Sequence, residues 1–137
     1  MNINQVAMNV SMNACQGRDK VDEAIERMAE SRFEEAKILL KEAEEDILKA
    51  HVAQTQVIQS QAAGEDMEYS LLFIHAQDTI MTSNSELRIA QHILPVFEAQ
   101  YKTIEKMKEE EDRQQEILQF ICQKSFAQRL MAKCIKM

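Results

Sequence analysis

The sequence predicts an all-α protein, an up-down-up three-helix bundle followed by a helical C-terminal extension. Three observations carry this. Two glycines and one proline occur in 137 residues, so helix breakers are scarce. Ala, Glu, Lys, Gln, Met and Leu, the strong helix formers, dominate the composition. Apolar residues then recur at helical spacing over three long segments separated by recognisable breaks.

The first segment, residues 4–29, places Val6, Val10, Met12, Ala14, Val21, Ala24, Ile25 and Met28 at helical spacing. Gly17 interrupts it at a propensity cost of about 1 kcal/mol relative to Ala, and its small size would permit close contact between helices. Ser31-Arg32-Phe33-Glu34 fits the capping-box pattern, which predicts Ser31 as N-cap of a second helix with Glu34 reaching back. That helix runs to about Gln61. Phe33, Ala36, Leu39, Leu40, Ala43, Ile47, Leu48, Ala50, Val52, Val57 and Ile58 lie on or near its apolar face, and Glu34, Glu35, Lys41, Glu44 and Glu45 on its charged side. The sequence Ala62-Ala63-Gly64-Glu65 is the strongest break in the middle of the chain. A third helix is expected from about Asp66, its N-cap, to Leu94, with Pro95 ending or kinking it.

Residues 1–100 therefore form one bundle domain and residues 101–137 a charged helical extension. The extension passes from KTIEKMKEEEDRQQEILQ, strongly helix-forming, to FICQKSFAQRLMAKCIKM, mixed apolar and basic. It reads first as a helical extension that continues the bundle or pairs with another copy; a basic, apolar helix touching a membrane or a partner, and partial disorder, are the alternatives.

The net charge of −7 is uneven. Residues 1–100 carry 8 basic and 17 acidic side chains, or −9; residues 101–137 carry 8 and 6, or +2. An acidic body repels phosphate backbones, which argues against nucleic acid as a partner. Cys15, Cys122 and Cys134 form no close-spaced framework and read as reduced thiols. The first residues lack the basic and apolar regions of a signal peptide. No apolar run approaches the roughly 20 residues of a membrane span. A soluble cytoplasmic protein without direct membrane insertion is expected.

The stretch LLFIHAQDTIM, residues 71–81, sets His75 and Asp78 within a greasy helix. On a helical wheel His75, Asp78, Thr79, Thr82 and Leu71 share one face, while Phe73, Ala76, Gln77, Ile80 and Leu87 share the opposite one. The first half of the helix is thus apolar almost all round, as in helices covered on every side. A second copy of the chain, or the C-terminal extension, would supply the missing cover. His75 and Asp78, at i,i+3, fit a mutually satisfied buried pair or two ligands of one metal ion. They equally fit a nucleophilic imidazole, available at physiological pH, with a carboxylate free for another task.

Residues 71–83, LLFIHAQDTIMTS, closely resemble the signature of the lactose/cellobiose-type IIA proteins of the bacterial phosphoenolpyruvate-dependent sugar phosphotransferase system. The upstream segments AHVAQTQVIQSQAAGE and RFEEAKILLKEAEEDILKAH are similar to the family's second helix and the loop that follows, so the resemblance spans roughly residues 5–100. It implies a homotrimer of three-helix bundles. It implies that His75 accepts a phosphoryl group from the phosphohistidine of HPr, with Gln77 and Thr79 supporting. His75 would then pass the group to a cysteine of a cognate IIB component, which works with the membrane component IIC in uptake of a β-linked disaccharide. Asp78 would meet its counterparts around a divalent cation, Mg²⁺, on the threefold axis. A non-catalytic oligomerisation, adaptor or regulatory module derived from a IIA protein is the alternative. The chain departs from the family at Thr79, where a second histidine is frequent, and in the extension beyond about Tyr101.

Overall fold

A computed structural model describes residues 2–136 and contains three α-helices: α1 (Ile3–Ala29), α2 (Phe33–Ala62) and α3 (Leu71–Ile135). Among the described residues there is no strand. The chain divides into two compact units, one ending at Glu98 and one beginning at Ala99.

Within the first unit the buried positions alternate in steps of three and four. They are Ala7, Val10, Ala14, Gly17, Val21, Ala24 and Met28 on α1, and Ala36, Leu40, Ala43, Ile47, Ala50, Gln54 and Val57 on α2, where Asp46 is also buried beside Ile47, outside that spacing. On α3 they are Phe73, Ala76, Ile80, Ser83, Leu87, Ala90 and Leu94. This is the seven-residue repeat of coiled-coil packing, in which one narrow seam of each helix faces the core. Met12 and Ile25 on α1, and Leu48, Val52 and Ile58 on α2, expected near the apolar faces, are instead exposed because they fall outside that seam. Many seam residues are Ala or Gly, so the helices approach closely.

Three polar contacts fix the up-down-up order. Ser70 at the start of α3 donates from Oγ to Asn4 Oδ1 at the start of α1, 2.7 Å away. Lys37 near the start of α2 pairs at 2.7 Å with Glu98. Arg18 of α1 pairs with Glu86 of α3.

Several expected boundaries shift. Ser31 does not cap α2: the position before α2 is Arg32, without a side-chain capping bond. Ser31 instead adopts φ 61° just past the end of α1, where its N–H bonds Met28 O and the Arg32 N–H bonds Arg27 O. These are the paired bonds of a Schellman stop, and they take Ser31 away from the capping role. Glu34 then pairs with Lys37 rather than reaching back. Gly64, at φ 90°, ends α2 in the same way. The third helix begins at Leu71, not near Asp66: Ser70 Oγ accepts the Phe73 N–H at 3.1 Å and serves as its N-cap. Pro95 lies inside α3 and does not end it. Lacking an N–H, it leaves the Gln91 carbonyl without its usual donor.

Candidate functional site: the His75 face of the third helix

α3 presents two parallel seams. The inner one is the core seam; the outer one carries Leu71, His75, Asp78, Thr82, Ser85, Ile89, His92 and Val96, again in steps of four and three. The structure therefore brings His75 and Asp78 to one face, with Thr79 at its edge and Ile74 and Met81 beside it. His75 and Asp78 are both exposed in the single chain. In the single chain this face is uncovered and no ion pair joins the two side chains.

The hydroxyls along this stretch are turned inward onto their own helix. Thr79 Oγ1 donates to the His75 carbonyl at 2.9 Å, Thr82 Oγ1 to the Asp78 carbonyl at 3.0 Å, and Ser83 Oγ to the Thr79 carbonyl at 2.8 Å. Thr79 thus has its proton committed to the backbone that carries His75, leaving acceptor lone pairs on the side facing away. Ser83, fully buried in the core seam, was not singled out from the sequence; continuing the spacing of Phe73, Ala76 and Ile80 would have found it.

Gln77 stands apart. It lies about 200° round the helix from His75 and lines a cleft of about 310 Å³ with Ile3, Val57, Met67, Ser70 and Phe73. One chain does not bring it to His75. A second cleft, between α2 and α3, is lined by Glu44, His51, Asn84 and Arg88 and likewise excludes His75.

His75 is the fifth residue of α3, counting from Leu71 after the Ser70 cap. Helix side chains lean toward the N-terminus, so the imidazole inclines toward the turn where backbone N–H groups are free and the dipole favours negative charge. Between residues 71 and 87 the helix contains no Lys or Arg. An anion carried on His75 therefore has the helix terminus, but no cation of its own helix, to balance it.

For a metal, one chain offers a single exposed carboxylate at Asp78. No group of three or more His, Cys, Asp or Glu side chains able to hold an ion occurs among the described residues. A hard divalent cation takes about six oxygen ligands, so Asp78 fits such an ion only where further copies bring their own carboxylates.

Residues 5–98 match the family described as PTS system, Lactose/Cellobiose specific IIA subunit. The chain belongs to this family. It is a IIA component of the lactose/cellobiose type of sugar phosphotransferase system. Over 94 residues it is 35% identical to the lichenan-specific phosphotransferase enzyme IIA component of Bacillus subtilis, covering 69% of this chain and 86% of that one. It is 38% identical over 80 residues to the lactose-specific EIIA component of Staphylococcus epidermidis, covering 58% of this chain and 77% of the relative. Among solved structures it resembles PtcA from S. mutans, with a TM-score of 0.69, 32% identity, and coverage of 72% of this chain and 99% of that chain. It also resembles the cellobiose-specific enzyme IIA from Bacillus anthracis, with a TM-score of 0.70, 29% identity, and coverage of 74% of this chain and 94% of that chain, and the all-helical, three-helix fold agrees with that IIA structure.

Proposed function

We propose that this IIA component is a phosphocarrier in which His75 is the working residue. The observation that supports it best is the open placement of His75, near the N-terminus of α3 within the matched family region, where another protein's side chain can approach. Imidazole Nε2 attacks the phosphorus of phospho-HPr, and the donor N–P bond breaks as the new one forms. A thiolate of a IIB component then attacks the same phosphorus and His75 leaves as neutral imidazole. Each step needs in-line approach of two side chains. No Lys or Arg of residues 71–87 holds the phosphoryl group on His75. Donor and acceptor share one face in turn, so both contacts are weak and transient.

The outer seam of α3 supports assembly as a homotrimer. Leu71, Ile74, Met81, Ile89 and Val96 are exposed in one chain and would be covered by the same helix of two further copies. Three Asp78 carboxylates would then converge and repel one another. A Mg²⁺-like cation supplies the compensating charge there. His75, on the Thr79 side of that face, stays at a groove between subunits with Thr79 in support; Gln77, on the opposite side of α3, lines the cleft of its own bundle and takes no part from that groove.

The named relatives act on lichenan and lactose, so family membership does not fix the sugar. A β-linked disaccharide is the proposed cargo, selected by the membrane component IIC. The chain works in the cytoplasm, where HPr supplies the phosphoryl group.

The test is the intact mass of wild type and His75→Gln after incubation with phosphoenolpyruvate, Enzyme I and HPr. The expected result is one acid-labile phosphoryl group on wild type and none on the variant. No gain on wild type with an active HPr would instead assign the chain to the adaptor reading.

A further inference from the structure

The unit beginning at Ala99 is one helical stretch of α3 whose two halves differ in charge. Residues 105–116 hold six acidic and three basic side chains and a single large apolar residue, Met107. Residues 117–136 hold four cations, Lys124, Arg129, Lys133 and Lys136, and no acid. From Glu116, the last acid, to Lys124 the helix rises about 12 Å, about one and a half Debye lengths at physiological ionic strength, where one is about 8 Å. The acidic run therefore does not neutralise the basic one.

The basic half is also apolar and uncovered. Ile117, Phe120, Ile121, Met131 and Ile135 fall within about 100° of one another on the wheel, and each is at least 56% exposed. Lys124 lies on this same face, with its ammonium 5.4 Å from the centre of the Phe120 ring. Its long stem can follow the apolar surface while the charge stays at the level of headgroups. Arg129, Lys133 and Lys136 lie to one side of the apolar arc, a side they share with Leu118, and Phe126 and Leu130 are exposed on the face opposite the arc.

We propose that residues 117–136 form a docking helix for a membrane surface bearing anionic lipid headgroups, with the apolar arc at the acyl boundary and the four cations among the phosphates. This combination of exposed aliphatic and aromatic side chains with cations alone is what such a surface recognises. The contact is peripheral, since no helix among the described residues is long and apolar enough to cross a membrane. A second copy of the chain fits less well. Parallel pairing sets four cations against four, and each heptad seam through the segment includes at least one polar or charged residue; the most apolar, Phe120, Ala127, Leu130 and Cys134, is interrupted by Gln123. Antiparallel pairing of residues 117–136 sets Lys136 against Ile117, Lys133 against Phe120 and Arg129 against Lys124. The inference goes beyond the phosphocarrier reading and does not depend on it. For a IIA component it would hold the carrier beside the membrane partner.

The full chain is sedimented with vesicles of phosphatidylglycerol and phosphatidylcholine mixed, and of phosphatidylcholine alone. Binding is expected only with the anionic vesicles, and it should weaken steeply with salt. Each basic residue contributes about fivefold to partitioning, so the Lys124→Gln, Arg129→Gln, Lys133→Gln, Lys136→Gln variant should lose about a hundredfold or more. Phe120→Ser with Ile121→Ser should also weaken binding, circular dichroism confirming that both variants stay helical. His75→Gln should bind as wild type, which separates this test from that of phosphoryl transfer. No binding to anionic vesicles, equal binding to phosphatidylcholine, or full retention in the fourfold variant would overturn the proposal. So would a fall in oligomer mass in that variant without any lipid binding by wild type, which would assign the helix to contacts between copies.

Discussion

Gly17 of α1 and Ile47 of α2 approach so closely that a Cβ on the glycine would lie 2.6 Å from Ile47 Cγ1, and 3.0 Å from the Ala43 carbonyl oxygen. The second contact is with backbone, so the clash cannot be relieved by turning one side chain. Gly17 stands in the middle of the α1 seam, where the alanine-rich surfaces of the two helices meet.

Gly17→Ala should therefore destabilise the bundle although alanine is the better helix former. Overpacking costs about 1–3 kcal/mol, offset by about 1 kcal/mol of propensity. The urea midpoint should fall by an amount equivalent to as much as about 2 kcal/mol, the difference of the two. A rise in the midpoint would show that the helices do not approach this closely.

Asp46 predicts a pH dependence. It is 6% exposed and accepts from Lys20 Nζ and Lys49 Nζ, both at 2.7 Å. The hydrogen bond from Lys20, then that from Lys49, holds its carboxyl below the ordinary value of 3.8. A group whose folded pKa is depressed stabilises fully above its unfolded pKa and loses that contribution as pH falls through the folded value. Asp46→Asn should cost about 1–2 kcal/mol at neutral pH. The gap between wild type and variant should stay constant down to about pH 4 and close below it. Urea titrations across pH 2–7 measure this, and a gap unchanged to pH 2 would contradict it.

Thr79→Ala separates a structural hydroxyl from a chemical one. The hydroxyl donates to the His75 carbonyl, a bond that alanine's higher helix propensity largely offsets. Stability should change by no more than about 0.5 kcal/mol. Phosphorylation by HPr should slow by less than about tenfold, the worth of one neutral hydrogen bond. A far larger loss in a rapid-mixing assay would mean that the hydroxyl turns from His75 to the phosphoryl oxygens.

The existence of the three helices, the break at Gly64 and the common face of His75 and Asp78 were legible because each follows from periodicity or from glycine. The boundaries at Ser31 and Asp66 were not, because short motifs are ambiguous. S-x-x-E describes a capping box, yet the same serine can take the left-handed stop of the preceding helix, and here the Met28 and Arg27 carbonyls settle the competition. Asp66 and Ser70 are both good N-caps; the bond from Ser70 to Asn4, 66 residues away, is a tertiary fact that local sequence does not contain. Pro95 reads as a stop, but a helix can tolerate one missing donor when the flanking turns are strong helix formers. The exposure of His75 was illegible for a different reason. A wheel reports which residues share a face, whereas burial depends on what covers that face.

What covers it gives the last prediction. If three Asp78 carboxylates converge as proposed, assembly and divalent-cation binding are linked, and the cation stabilises the trimer only through its preference for the assembled state. Removing divalent ions from wild type with a chelator should shift the mass measured by sedimentation equilibrium from trimer toward monomer, and Mg²⁺ should restore it. Asp78→Asn removes both the repulsion and the ligand charge, so its mass should become insensitive to the chelator while the apolar seam of Leu71, Ile74, Met81 and Ile89 still associates. His75→Gln leaves the carboxylates in place and should respond as wild type does. This pattern distinguishes Asp78 acting in assembly from a site in which His75 and Asp78 ligate the same ion. In the second case His75→Gln would lose the metal response as well. A wild-type mass indifferent to chelation would place the compensating charge elsewhere, with the Asp78 carboxylates kept apart or protonated.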